Sequence, residues 1–202
     1  MTTNFRSIVL ASTSPYRRAL LAQLGVDFTA VAPDYDEVIE QNIAPQLLVK
    51  HLALHKALSV RGDFPDAVII GSDQVFVDGR GMIMGKPGSA AAARRQLQAM
   101  AGHSHTFYTG LAVVDDRSDM ALCDYVTFEV TLRQLTAQQI ACYVEREQPL
   151  GCAGSFKIEA LGIALMEKMS GDDYTSLIGL PLIRLTEMLE QCGIDVLTAA
   201  PP

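Results

Sequence analysis

Hydrophobic residues along the chain follow two spacings, one typical of strands and the other typical of helices that bury one face. Apolar runs rich in β-branched residues predict strands over residues 6–11, 66–70, 75–77, 106–114, 122–132 and 163–166, with a short return strand over 82–84. The helical spacing predicts helices over residues 15–24, 45–59, 89–101, 136–148 and 181–192. Because strands and helices alternate, we expect an α/β fold with a mixed sheet. No repeat or long linker divides residues 1–202, so we expect one domain.

Four residues, Gly71-Ser72-Asp73-Gln74, interrupt the apolar pattern between two of the predicted strands. A buried carboxylate without a partner is costly, so Asp73 would be kept there for a use of its charge, with cations or donors around it. The alternative is a turn between two strands with Asp73 exposed at its tip, which Gly71 and Ser72 permit. The pattern alone leaves both interpretations open.

The first predicted helix has two arginines where a helix disfavours them. Ser14 is a typical N-cap and Pro15 a typical first residue, so Arg17 and Arg18 fall in the first turn. The positive end of the helix macrodipole disfavours each cation there by roughly 0.3–1 kcal/mol. A bound anion would reverse that sign, because backbone N–H groups, both guanidinium groups and the hydroxyl of Ser12 would converge on it. We therefore favour a phosphate site over two solvated arginines.

Two lysines are further candidates for phosphate contacts. Lys86, in the segment Gly85-Lys86-Pro87-Gly88, directly follows the return strand, and Lys56 stands alone in an apolar stretch of the second helix. Both would reach the site at the first helix if these elements lie together. Each lysine taken singly also suits an ordinary surface position.

Acidic and imidazole side chains offer weaker candidates for a metal site. Asp34, Asp36 and Glu37 could hold a hard cation through oxygen ligands, or could belong to a solvated loop. His51 and His55 have the i, i+4 spacing of a metal pair, but the residue after His51 is not the glutamate of the known zinc-helix motif. We interpret this pair as structural.

Composition excludes some classes of function. The net charge of −7 argues against a general nucleic-acid surface, so an anionic small substrate would need a local cluster of basic groups or a metal ion. The four cysteines form no C-x-x-C pair, and no apolar stretch approaches the ~20 residues of a membrane helix. The first residues lead directly into a strand without a visible signal peptide, so we expect a cytoplasmic protein that binds no membrane.

Six segments, in this order along the chain, resemble the Maf nucleotide pyrophosphatases. They are Leu10-Ala11-Ser12-Thr13-Ser14-Pro15-Tyr16-Arg17-Arg18, Gly71-Ser72-Asp73-Gln74-Val75, Gly85-Lys86-Pro87, Phe107-Tyr108-Thr109-Gly110, Cys152-Ala153-Gly154-Ser155-Phe156-Lys157-Ile158-Glu159 and Gly179-Leu180-Pro181. The matches cover almost the whole chain and are together far more specific than any one of them.

The resemblance implies a fold like that of the inosine triphosphatases, with an elongated mixed sheet, flanking helices and a cleft between two lobes. It also implies cleavage of a nucleoside triphosphate to a monophosphate and diphosphate with a divalent cation such as Mg²⁺, Mn²⁺ or Co²⁺. Asp73 matches the general base of the family, and Glu37 matches an acid that helps to hold the metal with it. The polar and basic cleft positions of the family are matched by Ser12, Arg17, Lys56 and Lys86.

Three positions connect the chain to one branch of that family. The dTTP/UTP branch has arginine, threonine and glutamine where this chain has Tyr16, Gln74 and Glu159, so the chain resembles instead the branch that acts on 7-methyl-GTP. Methylation at N7 makes the guanine cationic, so Tyr16 would stack on it. Glu159 would accept hydrogen bonds from the guanine edge, and Gln74 would complete the polar contacts. That branch commonly has tryptophan where Tyr16 stands, and tyrosine should weaken the stacking.

The sequence also fits two functions other than hydrolysis of 7-methyl-GTP. One is a pyrophosphatase for dTTP, UTP or a broader set of nucleotides. The other, also associated with the family, is a nucleotide-binding regulator of septum formation with little turnover. By analogy with the family we further expect a homodimer.

Overall fold

In a computed structural model of the chain, residues 6–35 and 43–198 are described. The strands are β1 Ile8–Ala11, β2 Phe28–Val31, β3 Val68–Val77, β4 Ile83–Met84, β5 Ser104–Asp115, β6 Met120–Leu132 and β7 Met166–Ser170. The helices are α1 Pro15–Ala22, α2 Pro45–Ser59, α3 Ala90–Met100, α4 Ala137–Glu147, α5 Tyr174–Ile178 and α6 Leu182–Gln191. Short 3-10 helices cover Arg61–Asp63, Asp116–Ser118, Ala153–Ser155 and Leu161–Leu165.

Within these residues, all seven strands form one sheet in the order β2-β1-β3-β5-β6-β7, with β4 paired to β3 outside this path. Strand β1 runs parallel to β2 and β3, whereas β5, β6 and β7 continue the sheet in antiparallel pairs. The predicted α/β fold with a mixed sheet is therefore confirmed. Among the described helices, none has the length and apolar character that crossing a bilayer requires.

Strand β3 has a gap along one edge. Strand β5 pairs with every residue of β3. On the other side of β3, β1 pairs only with residues 68–70 and β4 only with residues 76–77. Between them, residues 71–75 face no strand of the described part of the chain. The polar tetrad Gly71-Ser72-Asp73-Gln74 fills this gap, so the predicted pair of strands is wrong and a single strand runs through.

Most helices lie where their spacing predicts them, and the misses are short elements. Helix α2 has the predicted bounds, and Ser14 caps α1 by accepting a hydrogen bond from the backbone N–H of Arg17. The strand predicted over 163–166 is wrong, because the apolar residues before Met166 form a 3-10 helix and the strand follows it. Strand β2 and helix α5 were not predicted, since each is only four or five residues long.

The two largest of the four apolar clusters among the described residues pack against different ends of the sheet. One joins the start of β5 and the end of β6 to helices α3 and α4, with Phe76, Phe107 and Phe156 at its centre. The other joins β1 and the first half of β3 to helices α1 and α6, with the fully buried side chains of Leu10 and Leu21. The gap in β3 lies between these cores, which agrees with the predicted cleft.

Helix α2 crosses β3 and β5 at two glycines, on the face of the sheet opposite to these two clusters. A Cβ atom on Gly71 would lie 2.1 Å from the carbonyl oxygen of Ala53, and one on Gly110 would lie 2.1 Å from that of Val49. Gly71 and Gly110 stand on neighbouring strands two residues apart in register. Only residues without a side chain let the helix backbone come this close to the sheet.

A buried ion pair ties the start of β1 to the end of β5. Both terminal nitrogens of Arg6 donate to the carboxylate of Asp115, which also accepts hydrogen bonds from the backbone N–H of Arg117 at 3.0 Å and the hydroxyl of Ser118 at 2.7 Å. Asp115 is 1% exposed. The hydrogen bonds from Arg6, more than any other cause, hold the pKa of Asp115 well below its ordinary value against the opposing effect of burial.

The ion pair between Arg6 and Asp115 should make the stability of the fold depend on pH. Because the pKa of Asp115 is lower in the folded state, the pair stabilises the fold above pH ~4 and loses that contribution as the pH falls below it. Asp115→Asn should lower the free energy of unfolding by about 3 kcal/mol at pH 7, with a smaller difference at pH 3. Urea unfolding at both pH values measures this. Asp119→Asn, an exposed change in the same turn, should have little effect at either pH, and equal losses in both variants would contradict the prediction.

Candidate active site

A cavity of about 640 Å³ opens at the gap in β3. Its lining comes from the turn between β1 and α1, the second half of α2, the middle of β3, the segment after β4, the segment 151–159 and the end of α5. Eight of the residues singled out from the sequence as site residues line this cavity: Ser12, Tyr16, Arg17, Lys56, Asp73, Gln74, Lys86 and Glu159.

Asp73 and Lys56 form an ion pair on one side of the cavity. Asp73 stands in the middle of β3 opposite Gly110, and its carboxylate accepts a hydrogen bond from the ammonium group of Lys56 on α2. Asp73 is 8% exposed and Lys56 is 7% exposed. The alternative of an exposed turn at Asp73 is therefore wrong, because the strand is continuous and the close approach of α2 brings a cation to the carboxylate.

The N-terminus of α1 forms a second side of the cavity. Ser12 is buried, and its hydroxyl oxygen accepts a hydrogen bond from the backbone N–H of Ser14 at 3.2 Å. The Arg17 side chain is half-buried, and its Nε donates to the carbonyl oxygen of Gly179 at 2.8 Å. Arg18 is exposed and does not line the cavity. The prediction of two converging arginines is thus wrong for Arg18, since consecutive residues of a helix point about 100° apart.

The side-chain amide of Gln74 has a fixed orientation. Its nitrogen donates to the hydroxyl oxygen of Thr109 at 2.9 Å and to the carbonyl oxygens of Ser176 at 2.8 Å and Leu177 at 3.2 Å. The hydroxyl of Thr109 itself donates to the carbonyl oxygen of Ser176 at 2.8 Å. Because carbonyl oxygens only accept hydrogen bonds, the nitrogen of the Gln74 amide is the atom that faces Ser176 and Leu177, and its carbonyl oxygen is left to act as an acceptor.

Tyr16 and Glu159 form a pair at the mouth of the cavity. Tyr16 is 39% exposed, and Glu159 is also exposed. Burial first, and then the charge of Glu159 and its hydrogen bond to the phenol, raise the pKa of Tyr16. The phenol thus stays protonated near neutral pH and can donate to the carboxylate. Lys86, on the segment after β4, is exposed on the cavity wall.

The chain matches the model of the Maf-like protein family over residues 7–192. It belongs to the Maf family. The 7-methyl-GTP pyrophosphatase of Syntrophotalea carbinolica is 60% identical to this Maf chain over 190 residues, which cover 94% of this chain and 96% of that protein. The 7-methyl-GTP pyrophosphatase of Nitrosococcus oceani is 51% identical over 191 residues, which cover 95% of this chain and 96% of that protein.

A solved structure supports the fold of this Maf chain. The structure of a HAM1 protein from Coxiella burnetii superposes with a TM-score of 0.50 at 14% sequence identity, and the match covers 93% of this chain and all of that one. At this identity the likeness concerns the fold alone. The fold predicted from the family resemblance, an inosine-triphosphatase-like α/β arrangement, is confirmed.

A divalent ion would find few protein ligands in the described part of this Maf chain. Residues 6–35 and 43–198 hold no cluster of three or more acidic, histidine or cysteine side chains that could bind a metal. Asp36 and Glu37, both candidate metal ligands, lie outside the described residues, and Asp34 is exposed. A single buried carboxylate in a cavity, that of Asp73, still fits an ion such as Mg²⁺, which takes most of its ligands from water and from substrate phosphates.

Several residues that shape the site escaped the sequence analysis. Ser72 is fully buried, and its hydroxyl lies 2.8 Å from the carbonyl oxygen of Gly110 and 2.9 Å from that of Gly179. Asp173 caps α5 and accepts a hydrogen bond from the backbone N–H of Ile183 at 2.9 Å, which ties α5 to α6. An aspartate followed by Tyr-Thr-Ser resembles an N-cap, and this was the signal that could have predicted α5.

The structural interpretation of the two histidines agrees with their contacts. The rings of His51 and His55 are tilted by 40° with their centroids 4.1 Å apart, and Tyr35 stacks on His55 with ring centroids 5.2 Å apart. The hydroxyl of Tyr35 lies 3.2 Å from Nε2 of His51. The three rings form a cluster at the side of the cavity that Tyr35 lines.

Proposed function

We propose that this chain is a nucleoside triphosphate pyrophosphatase that hydrolyses 7-methyl-GTP to 7-methyl-GMP and diphosphate. The names of relatives that are 60% and 51% identical over nearly the whole chain support the substrate. The observation that carries the chemistry is the Asp73 carboxylate, which is buried in the wall of a cavity large enough for a nucleotide and is paired with Lys56. No other carboxylate of the described chain is both buried and part of this lining.

Asp73 acts as the general base in this proposal. It removes a proton from a water molecule as that water attacks the α-phosphorus, and the bond from the α-phosphorus to the bridging oxygen breaks to release diphosphate. Lys56 offsets the charge of the buried Asp73 carboxylate and orients it through their hydrogen bond. Asp73 releases this proton to the solvent after the products dissociate.

Basic groups around the cavity stabilise the charge that develops on the phosphate oxygens. The Nε of Arg17 donates a hydrogen bond to the carbonyl oxygen of Gly179. This bond limits the positions that the two terminal nitrogens of Arg17 can take. The hydroxyl of Ser12 and the ammonium of Lys86 line the same cavity. Such preorganised donors lower the barrier because they need no rearrangement as charge develops. An acidic protein can bind a polyanion through one basic cavity of this kind.

A divalent cation would be held by Asp73 and by Glu37, together with substrate oxygens. When bound, it would neutralise phosphate charge and act as a Lewis acid. The nature of the metal, like the role of Glu37, stays a prediction.

Tyr16, Gln74 and Glu159 select the base in this proposal. The ring of Tyr16 stacks on the cationic 7-methylguanine beside Glu159, whose charge adds to burial in raising the pKa of the phenol. The carboxylate of Glu159 has two oxygens, so it can accept from the Tyr16 hydroxyl and still accept from the guanine N1–H and amino group. The carbonyl oxygen of Gln74 offers a further acceptor, because its amide nitrogen is held by Thr109 and α5.

A panel of canonical and modified nucleoside triphosphates, assayed for diphosphate release, tests the function. We expect a higher kcat/KM for 7-methyl-GTP than for GTP, dTTP or UTP. Glu159→Gln should lower the ratio of kcat/KM for 7-methyl-GTP to that for GTP by about 10- to 100-fold, because only the methylated base carries a positive charge that the carboxylate attracts.

Glu167→Gln is a matched control, because Glu167 is exposed on β7 and does not line the cavity. This variant should keep the ratio of the unmutated chain. Equal kcat/KM values for GTP and 7-methyl-GTP in the unmutated chain would remove the proposed roles of Tyr16 and Glu159. A preference for dTTP or UTP would place the chain with the other branch of the family.

Four further expectations stay predictions. They are the homodimer, the cytoplasmic location, the absence of a nucleic-acid or membrane partner, and the organisation of residues 1–202 as a single domain. Size-exclusion chromatography with light scattering measures the first.

A further inference from the structure

Two segments that line one side of the cavity meet at a single side chain. The Lys86 loop, residues 85–88, follows β4, and the Glu159 loop, residues 151–159, follows α4. Gln96 of α3 contacts both. Its Nε2 donates to the carbonyl oxygen of Gly85 at 3.1 Å, and its Oε1 accepts a hydrogen bond from the hydroxyl of Ser155.

Ser155 is held in an unusual conformation. Its φ is +60°, in the left-handed region that residues other than glycine rarely adopt, and it follows Gly154 with a φ of +75°. Ser155 is fully buried, and a buried hydroxyl needs a hydrogen-bond partner. Gln96 supplies the acceptor. Backbone strain of this kind persists only where the surroundings impose it, and such places cluster at functional sites.

A second contact joins the same two loops. The backbone N–H of Gly88 donates to the carbonyl oxygen of Leu150, directly before the Glu159 loop, at 3.0 Å. The loops are therefore connected on both sides of Lys86, through Gly85 to Gln96 and through Gly88 to Leu150. A shift of one loop is transmitted to the other.

The side chain of Gln96 is not needed to pack α3. Ala93, Leu97 and Met100 are the buried residues of that helix, whereas Gln96 is only half-buried. Its polar atoms form hydrogen bonds to the two loops. This separates a positioning role from a general contribution to the fold.

We propose that Gln96 is a positioning residue that sets the distance between Lys86 and Glu159, and so couples recognition of the phosphates to recognition of the base. The inference rests on the proposed function, in which Lys86 contacts phosphate and Glu159 contacts guanine. Base selection then depends on a residue of α3 that does not itself line the cavity.

The test replaces Gln96 by methionine, which keeps the length and helix propensity of the side chain and removes both hydrogen bonds. Gln98→Met is the matched control, because Gln98 is exposed on the same helix. We expect Gln96→Met to lower the 7-methyl-GTP to GTP ratio of kcat/KM by about tenfold, since small displacements of binding groups have effects of this order. The control should keep the ratio. Thermal unfolding should show both variants folded at the assay temperature, with a lower midpoint for Gln96→Met because it leaves the buried hydroxyl of Ser155 without its acceptor.

A double-mutant cycle identifies the route of the effect. If Gln96 acts through Glu159, Gln96→Met should not lower the ratio further in a Glu159→Gln background. Ser155→Ala, which removes only the bond to the Glu159 loop, should lower the ratio as Gln96→Met does. An unchanged ratio in Gln96→Met, or fully additive losses in the double variant, would overturn the inference.

Binding of α,β-methylene analogues of the two nucleotides separates this inference from the proposed function. Calorimetry gives their dissociation constants without turnover. If the chain releases no diphosphate but Gln96→Met still lowers the ratio of the two affinities, the proposed reaction fails and the positioning role stands. If the unmutated chain binds both analogues equally, or binds neither, the inference fails.

Discussion

Asp73→Asn is expected to lower diphosphate release from 7-methyl-GTP by about 10²- to 10⁴-fold, the range found for loss of a general base. Asparagine has nearly the same shape as aspartate but cannot accept the proton of the attacking water at neutral pH. The ion pair with Lys56 is lost as well. Steady-state assays with Mg²⁺, Mn²⁺ and Co²⁺ measure the effect on kcat.

Nucleotide binding should survive this substitution, because Arg17, Lys86 and Tyr16 are unchanged. Calorimetry with the α,β-methylene analogue of 7-methyl-GTP tests that. Asp66→Asn is a control, since Asp66 is exposed and lies outside the cavity, and it should keep full activity. A residual activity above about one tenth in Asp73→Asn would contradict the role of general base. An unmutated chain that binds nucleotide but releases no diphosphate with any of the three metals would favour the regulator of septum formation instead.

Gly71→Ala is expected to lower the free energy of unfolding by about 3 kcal/mol or more, an effect at the upper end of those caused by overpacking. The added Cβ would lie 2.1 Å from the carbonyl oxygen of Ala53 and 2.9 Å from the backbone nitrogen of Ala57. Backbone atoms cannot rotate away, so α2 would have to move off the sheet. Gly110→Ala should have a similar effect, because its Cβ would meet the backbone of Val49.

The same displacement should also reach the active site. Lys56 lies on α2 beside Ala57, and its hydrogen bond to Asp73 requires the helix to lie close to β3. Urea unfolding measures the loss of stability, and the assay on any folded fraction measures the loss of activity. Gly62→Ala is the control, because a Cβ there meets nothing within 4 Å; we expect a change within about 0.5 kcal/mol. Equal stabilities of Gly71→Ala and Gly62→Ala would contradict the steric explanation.

The regular elements were largely predictable because each leaves a local signal. Helix α2 has the bounds that its apolar spacing predicts, and Ser14 and Thr136 cap the helices that they were expected to begin. The strand predicted over 163–166 failed for a physical reason. Gly162 packs its backbone against that of Lys157, where a Cβ would lie 2.2 Å from the carbonyl oxygen, and this contact with a segment nearby bends the apolar run into a 3-10 helix.

The candidate site was predicted less completely, because its geometry depends on which strands fail to pair. The polar tetrad suggested two strands and a turn, whereas β3 runs through and its open edge forms the cavity. The electrostatic conflict at the start of α1 pointed to Arg17, which lines the cavity, but gave no sign that Arg18 is exposed and lies outside it. Nothing in the sequence near Gln96 indicated its contacts, since both partners are brought to it by the tertiary fold.

The sequence by itself determined the class of fold, the position of most helices and, through a family resemblance, the residues of the candidate site, because periodicity, capping and motifs are local properties of the chain. Only the tertiary structure decided that Asp73 is buried beside Lys56, and that Gly71 and Gly110 let α2 approach the sheet. It also decided that Gln96 joins two loops of the cavity. These contacts join residues far apart in the sequence, and they form only because burial of the apolar cores fixes the elements against each other.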